Sequence, residues 1–360
     1  MIQLAAESVY KDDSMFPTSK SDQLIQSGTI IIDQHTGEIR GVVGHRGVDV
    51  LHGFNYATML KRQPGSSFKP LAVYGPALEK GYTPDSMLFD GDLNINGYQP
   101  KDYDHQTRGQ VTLTEAVAQS WNIPAVWLLN QIGIDVGMNY ATRAGIALTQ
   151  DDRKLGIALG GLSVGTSPLQ MAQAFTAFAN AGNMIPAHTI TKMLSRSGKV
   201  LATAKAVQVK VTTPEAAATM TMLLANAVKN GSGNAAASDR PTAGKTGTTE
   251  LPDTPEFNGI SGAVAKDAWF VGYTPELTAA VWMGYVKTDK DHYLTTGSAA
   301  SAAIFKEIMA RALKDQPIVP FVAPDKPAAA KDNAKQNGKK DDQQPRNKQD
   351  QGKNNGKKNK

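Results

Sequence analysis

The 360-residue chain has no cysteine. That excludes disulfide staples, thiolate metal sites and a cysteine nucleophile. A cytosolic protein usually keeps a few thiols, so their absence fits an extracytoplasmic protein of a cell that does not rely on disulfides. Long apolar runs are missing too. No stretch reaches the eighteen or so residues of a membrane helix, and the N-terminus lacks the charged-then-apolar pattern of an export signal. The chain is thus expected to be either cytoplasmic or a piece of a longer protein whose export segment lies elsewhere. It shows no internal repeat.

What is present is a globular composition, 41% hydrophobic and 20% charged, enough for one large core or two. The net charge of +5 is unevenly placed. Residues 326–360 hold eleven Lys or Arg and four Asp, a local +7; subtracting it from +5 leaves −2 for the rest. The folded part is therefore not basic, and the charge does not argue for nucleic acid. The tail from 316 to 360 is rich in Lys, Asn, Gln and Asp and carries no aromatic after Phe321. It cannot bury a core and is expected to be disordered. It serves as a solubilising tail or as a tether to anionic wall polymer or lipid headgroups.

Residues 1–27 are polar and irregular and read as a linker or the remnant of a preceding region. From Gly28 the pattern changes. Gly28–Asp33 and Glu38–Val43 read as a hairpin around His35-Thr36-Gly37, and a second hairpin centres on Ser197-Gly198. Helices are expected over Phe68–Lys80, with a kink at Pro76, and over Ala125–Ile132 after Pro124. Thr112–Glu115 has capping-box spacing, and Ser167-Pro168 caps a helix running to about Ala179. Another helix starts at Thr213-Pro214-Glu215. Strands are expected at Thr242–Thr248, Ala268–Tyr273 and Thr278–Val286, then a helix over Ala299–Leu313. Two early strands, a helical middle and late strands suggest an α+β fold. Its antiparallel sheet joins the first and last portions, helices flank it, and an all-helical lobe is inserted, all within residues 28–315.

Three short motifs carry chemistry. The first is Ser66-x-x-Lys69. On a helix starting near Ser66 the two side chains share a face. A lysine desolvated or set beside another cation drops its pKa and can take the serine proton, while the helix N-terminus offers free N–H groups to a developing anion. Alone this motif is expected about once or twice by chance in such a chain. The second, Lys245-Thr246-Gly247, is expected in only about one such chain in ten. Its lysine offers a cation, the hydroxyls of Thr246 and Thr248 alternate onto one strand face where they can bond a carboxylate, and Gly247 leaves room for a ligand backbone. The third is Ser120-Trp121-Asn122, at a break between two helices. Ser232-Gly233-Asn234 has the same form, in a Gly-rich loop just before the Lys-Thr-Gly strand. Ser120 is preferred because it falls in the helical region.

Ser-x-x-Lys, Ser-x-Asn and Lys-Thr-Gly in this order are the signature of penicillin-binding proteins and serine β-lactamases. Three further stretches closely resemble the transpeptidase domain of class A, bifunctional penicillin-binding proteins. They are Arg62–Pro70, the run from Leu159-Gly160-Gly161 to Ala172, and Gly244–Thr249. The resemblance spans about residues 25–315 and lacks the family's membrane helix and glycosyltransferase domain. It implies a peptidoglycan D,D-transpeptidase on the extracytoplasmic face of a Gram-positive-like cell membrane, acylated by β-lactams, using no metal or cofactor. Ser66 would be the nucleophile and Lys69 its base. Ser120 would relay the proton to the leaving D-alanine, and Asn122 would bind the substrate amide. Lys245, Thr246, Gly247 and Thr248 would line the carboxylate end. Backbone N–H groups of Ser66 and Thr248 would form the oxyanion hole.

Three rival readings compete with this one. Gly161-Leu162-Ser163-Val164-Gly165 matches a nucleophile elbow, with His188 and His292 downstream as candidate bases. A β-lactamase needs a deacylating carboxylate, and the only Glu between Ser120 and Lys245 is Glu215, which reads as a first-turn helix charge. A β-lactam sensor without turnover is the third.

Overall fold

The computed structural model describes residues 1–19, 21–47 and 52–321. Its centre is a five-stranded antiparallel sheet in the order β2-β1-β11-β10-β9. The strands are β1 (Gln26–Ile32), β2 (Ile39–Val43), β9 (Ala243–Thr249), β10 (Asp267–Tyr273) and β11 (Thr278–Gly284). Strand β1 lies against β11, with Ile30 opposite Ala280, so the start and end of the chain close one sheet. The β-branched run Thr29-Ile30-Ile31-Ile32 is wholly buried because both faces of this strand are covered. This is the expected α+β architecture.

Alternation along β1 divides the core. Ile30 and Ile32 join Trp269, Val271 and Trp282 on one face, under the helical part of the molecule. Ile31 joins Phe270, Ala279 and Val281 on the other, under α8 (Ala299–Ala312) and α1 (Ile2–Tyr10). Helix α1 corrects the linker reading of residues 1–27. Ala5, Ala6, Val9 and Tyr10 form a buried stripe at helical spacing, and Tyr10 Oη lies 2.8 Å from Ser27 Oγ and 2.6 Å from Thr29 Oγ1. The stripe is only nine residues long and interleaved with Gln3, Glu7 and Ser8, so its sequence reads as polar.

The middle of the chain supplies α2 (Gly75–Glu79), α3 (Leu113–Gln119), α4 (Asn122–Ile132), α5 (Ile134–Arg143), α6 (Pro168–Ala179) and α7 (Pro214–Asn230). It also holds small ladders of β3 (Met87–Asp90) with β4 (Gly109–Thr112), β5 (Asn183–Met184) with β8 (Val209–Lys210), and β6 (Lys192–Leu194) with β7 (Val200–Thr203). Capping boxes are present at Thr112 and Ser167 as the sequence implied. Helix α5 and the β3–β4 ladder were not expected. The segment after Ser66 is less regular than the single kinked helix expected over Phe68–Lys80. A tight 3₁₀ turn, Gly65–Phe68, leads into a wide π-type turn, Pro70–Tyr74, before α2. Pro70 has no N–H to give, so the regular ladder cannot run through it. The basic tail expected from 316 lies outside the described residues from 322 onward.

Candidate active site

Ser66 sits half-buried in the 3₁₀ turn, pressed against the edge strand β9. Gly65 makes that approach feasible. Its φ is +55°, and a Cβ there would lie 2.5 Å from Thr248 O and 2.9 Å from Thr248 N. The backbone of Thr248 thus runs directly beside the Ser66 turn. On the strand, Gly247 faces Pro64 O and Ser67, whose Oγ would lie 2.9 Å from an added Cβ. The missing side chain at Gly247 leaves room for the Pro64–Ser67 turn itself.

Lys69 is fully buried. Its Nζ donates to Ser120 O at 2.6 Å, Trp121 O at 2.8 Å and Asn122 Oδ1 at 2.8 Å. Among the described residues no hydrogen bond joins it to Ser66 Oγ. The one-turn spacing brings both residues to one region, but tertiary contacts aim the amine at the 120–122 turn. Three acceptors suit an ammonium; losing one proton frees a lone pair and one of these contacts. Burial, then the nearby Lys245 charge, holds the Lys69 pKa well below that of an ordinary lysine, against an opposing pull from Asp102.

Ser120 ends α3 in the left-handed conformation, φ +64°, an uncommon posture for a residue with a Cβ. The posture puts its carbonyl on Lys69 and its hydroxyl on Lys245, whose Nζ lies 2.6 Å from Ser120 Oγ. Lys245 is fully buried, and burial alone pushes its pKa down to about 7. Ser120 thus meets both amines, Lys69 at its carbonyl and Lys245 at its hydroxyl, and burial holds both below an ordinary lysine, which makes each easier to deprotonate. Asn122 opens α4, and its Nδ2 donates to Lys101 O. Thr246 is buried and Thr248 exposed at the strand end.

All three motifs therefore meet, and Ser120, not Ser232, bridges the lysines. Yet Ser232 is not remote. Its Oγ accepts from Thr246 Oγ1 at 3.1 Å, because Ser232 N is tied to Ala118 O at the end of α3. Its place just before the strand was the available signal. Asp102 and Arg108, which brace the 120–122 turn, carried none. A cavity of about 470 Å³ opens nearby, lined by Gln63, Tyr98, Asn130, Lys154 and Gly161 among others.

The rival nucleophile finds no support. Ser163 follows no strand, and its hydroxyl pairs with Thr149 at 3.0 Å. His188 Nδ1 meets Pro186 O, and His292 Nδ1 meets Asp289 at 2.7 Å. Glu215 is exposed in the first turn of α7, held charged by its own backbone N–H and Thr213. Among the described residues no group of His, Cys, Asp and Glu is arranged to hold a metal ion.

Comparison with known proteins points one way. Residues 27–310 match the model of the penicillin binding protein transpeptidase domain. The chain is 41% identical over 312 residues to penicillin-binding protein 1F of Bacillus subtilis, covering 86% of this chain and 42% of that one. It is 38% identical over 306 residues to penicillin-binding protein 2a of Streptococcus pneumoniae, covering 83% and 41%. It thus spans about two fifths of the length of these relatives. A solved structure of PonA1 from Mycobacterium tuberculosis in complex with penicillin V superposes with a TM-score of 0.77 at 28% identity, covering 90% of this chain and 86% of that one.

Proposed function

The chain belongs to the family of penicillin-binding protein transpeptidase domains, and from that premise we propose that it is a peptidoglycan D,D-transpeptidase working through an acyl-serine at Ser66. The observation that carries this is the pair of buried lysines joined by Ser120 next to the Ser66 turn.

Lys69, as the free amine, takes the Ser66 proton while Ser66 Oγ attacks the carbonyl between two D-alanines of a stem peptide. A positioned base of this kind is worth about 10²–10⁴ in rate. The oxyanion is met by the backbone N–H groups of Ser66 and Thr248, each worth about 3 kcal/mol. The C–N bond breaks, and the proton passes through Ser120, between the two lysines, to the leaving D-alanine. Lys245, Thr246 and Thr248 hold the terminal carboxylate, and Asn122 the substrate amide. An amine of a neighbouring stem peptide then attacks the ester, closing the cross-link and restoring Ser66. β-Lactams take the place of the D-alanyl-D-alanine end. Glu215, exposed at the start of α7, is poorly placed to activate a deacylating water, which favours a long-lived acyl-enzyme over β-lactamase turnover. The expected setting is the extracytoplasmic face of the membrane.

The test is incubation with a fluorescent penicillin beside Ser66→Ala, read by intact mass and peptide mapping, then with stem peptides ending in D-alanyl-D-alanine. A stable adduct on Ser66, absent in the variant, together with cross-linked product supports the proposal. An adduct without any processing of stem peptide turns the reading to a sensor. An adduct lost within seconds turns it to a β-lactamase.

A further inference from the structure

The 120–122 turn is held in place from outside the three motifs. Helix α4 carries no cap of its own, since Trp121 offers no side-chain acceptor. Its first N–H groups, those of Asn122 and Ile123, instead donate to Asp102 Oδ1 at 2.5 and 2.9 Å. This carboxylate comes from the loop between β3 and β4 and is only 2% exposed. Its second oxygen accepts from Arg108 Nη1 at 3.2 Å. The same guanidinium reaches Asp90 Oδ2 at 3.3 Å, Gln106 O at 3.2 Å and Asp104. It also lies over the Trp121 ring, with Cζ 4.0 Å from the centroid. One carboxylate and one arginine thus enclose residues 121–123 from two sides.

The charged and titratable groups around Asp102 come from each packed element. Asp90 faces it from the end of β3, and Arg108 and Tyr103 from its own loop. Lys69 and Tyr74 face it from the nucleophile segment. Asp102 favours a protonated Lys69, while burial and Lys245 oppose it. Burial pushes the Asp102 carboxyl up to about 6, against the two N–H groups of Ile123 and Asn122 that favour the anion. Near pH 7.5 it is charged.

We propose that Asp102 is a positioning residue of this acyl-transfer site, fixing the 120–122 turn through two backbone N–H groups and placing a carboxylate charge behind Lys69. Movement of the turn displaces Ser120 and Asn122 together, and a 1 Å misplacement costs on the order of 10²-fold in rate. The proposal rests on the acyl-serine reading above, and its two parts separate by substitution. Asp102→Ala removes both acceptor and charge. Asp102→Asn keeps an acceptor facing α4, removes the charge and turns an amide N–H instead of an acceptor toward Arg108.

Two readouts are required: the rate of acylation by a fluorescent penicillin from pH 5 to 9, and the titration of Lys69 followed by NMR in ¹⁵N-lysine-labelled protein. Asp102→Ala is expected to acylate about 100-fold more slowly at pH 7.5 than the unmutated chain, and Asp102→Asn within about tenfold of it. In Asp102→Asn the Lys69 midpoint and the acid limb of acylation are expected to move down by about one pH unit. Equal loss in the two variants overturns the acceptor role. An unmoved Lys69 midpoint in Asp102→Asn overturns the charge role. If Asp102→Ala does not fold, Asp102→Asn still decides both, the first by acylation more than about tenfold slow. If the unmutated chain is never acylated, the enzymatic reading fails, while the NMR midpoint still judges Asp102.

Discussion

Gly65→Ala puts the packing of the Ser66 turn against β9 to a direct test. Two costs follow from the geometry. At φ +55° an L side chain costs about 1–2 kcal/mol. The new Cβ would also stand 2.5 Å from Thr248 O and 2.9 Å from Thr248 N. Ordinary contact begins at 3.4 Å, so the turn and the strand must part by roughly 0.9 Å, which as overpacking adds about 1–3 kcal/mol. The fold is expected to lose about 2–5 kcal/mol. Acylation by a fluorescent penicillin is expected to fall by on the order of 10²-fold, because the gap opens between Ser66 and the Thr248 N–H. Stopped-flow fluorescence measures the second and denaturant melts the first. Gly81→Ala is the control: φ is +91° there, yet nothing lies within 4 Å of the added Cβ, so stability falls and acylation does not. If Gly65→Ala acylates within about threefold of the unmutated protein, the close turn–strand contact is not what assembles the site.

Lys245→Met tests the buried amine. A lysine with its pKa lowered to about 7 when folded and near 10.4 when unfolded binds more protons unfolded between these values. Its charging penalty is fully present below about pH 7, and stability rises as pH climbs from 7 toward 10, by at most about 1.4 kcal/mol per unit. Denaturant melts at pH 7.5 and 9.5 should show a smaller rise in Lys245→Met, with acylation lost; an unchanged slope refutes the depressed pKa. Ser232→Ala removes the acceptor of the Thr246 hydroxyl. It should lower acylation efficiency about three- to tenfold with little change in melting temperature, and full activity would show that Thr246 needs no such support.

Much of the fold could be read locally. The β-branched run at Thr29–Ile32 and the caps at Thr112, Ser167 and Thr213 act through neighbours in sequence, so they appear where patterning places them. Helix α1 was missed because its buried stripe acquires meaning only against β1 and α8. The Ser66–Lys69 pair shows both sides. Spacing brings the two residues to one region, yet the amine points at the 120–122 turn, because the carbonyls it meets belong to residues about fifty positions on. Gly247 and Ser232 were visible as residue types, but which atoms they touch depends on β9 lying against segments far away in the chain.

The sequence by itself determined the family and singled out Ser66, Lys69 and Lys245 as candidates, since these rest on rare residue patterns and on order along the chain. Tertiary structure alone decided which serine bridges the lysines, why both amines are held below an ordinary lysine, and what holds the bridge in place. Burial, a left-handed Ser120 and the carboxylate of Asp102 are properties of segments brought together from separate parts of the chain, and no local pattern encodes them.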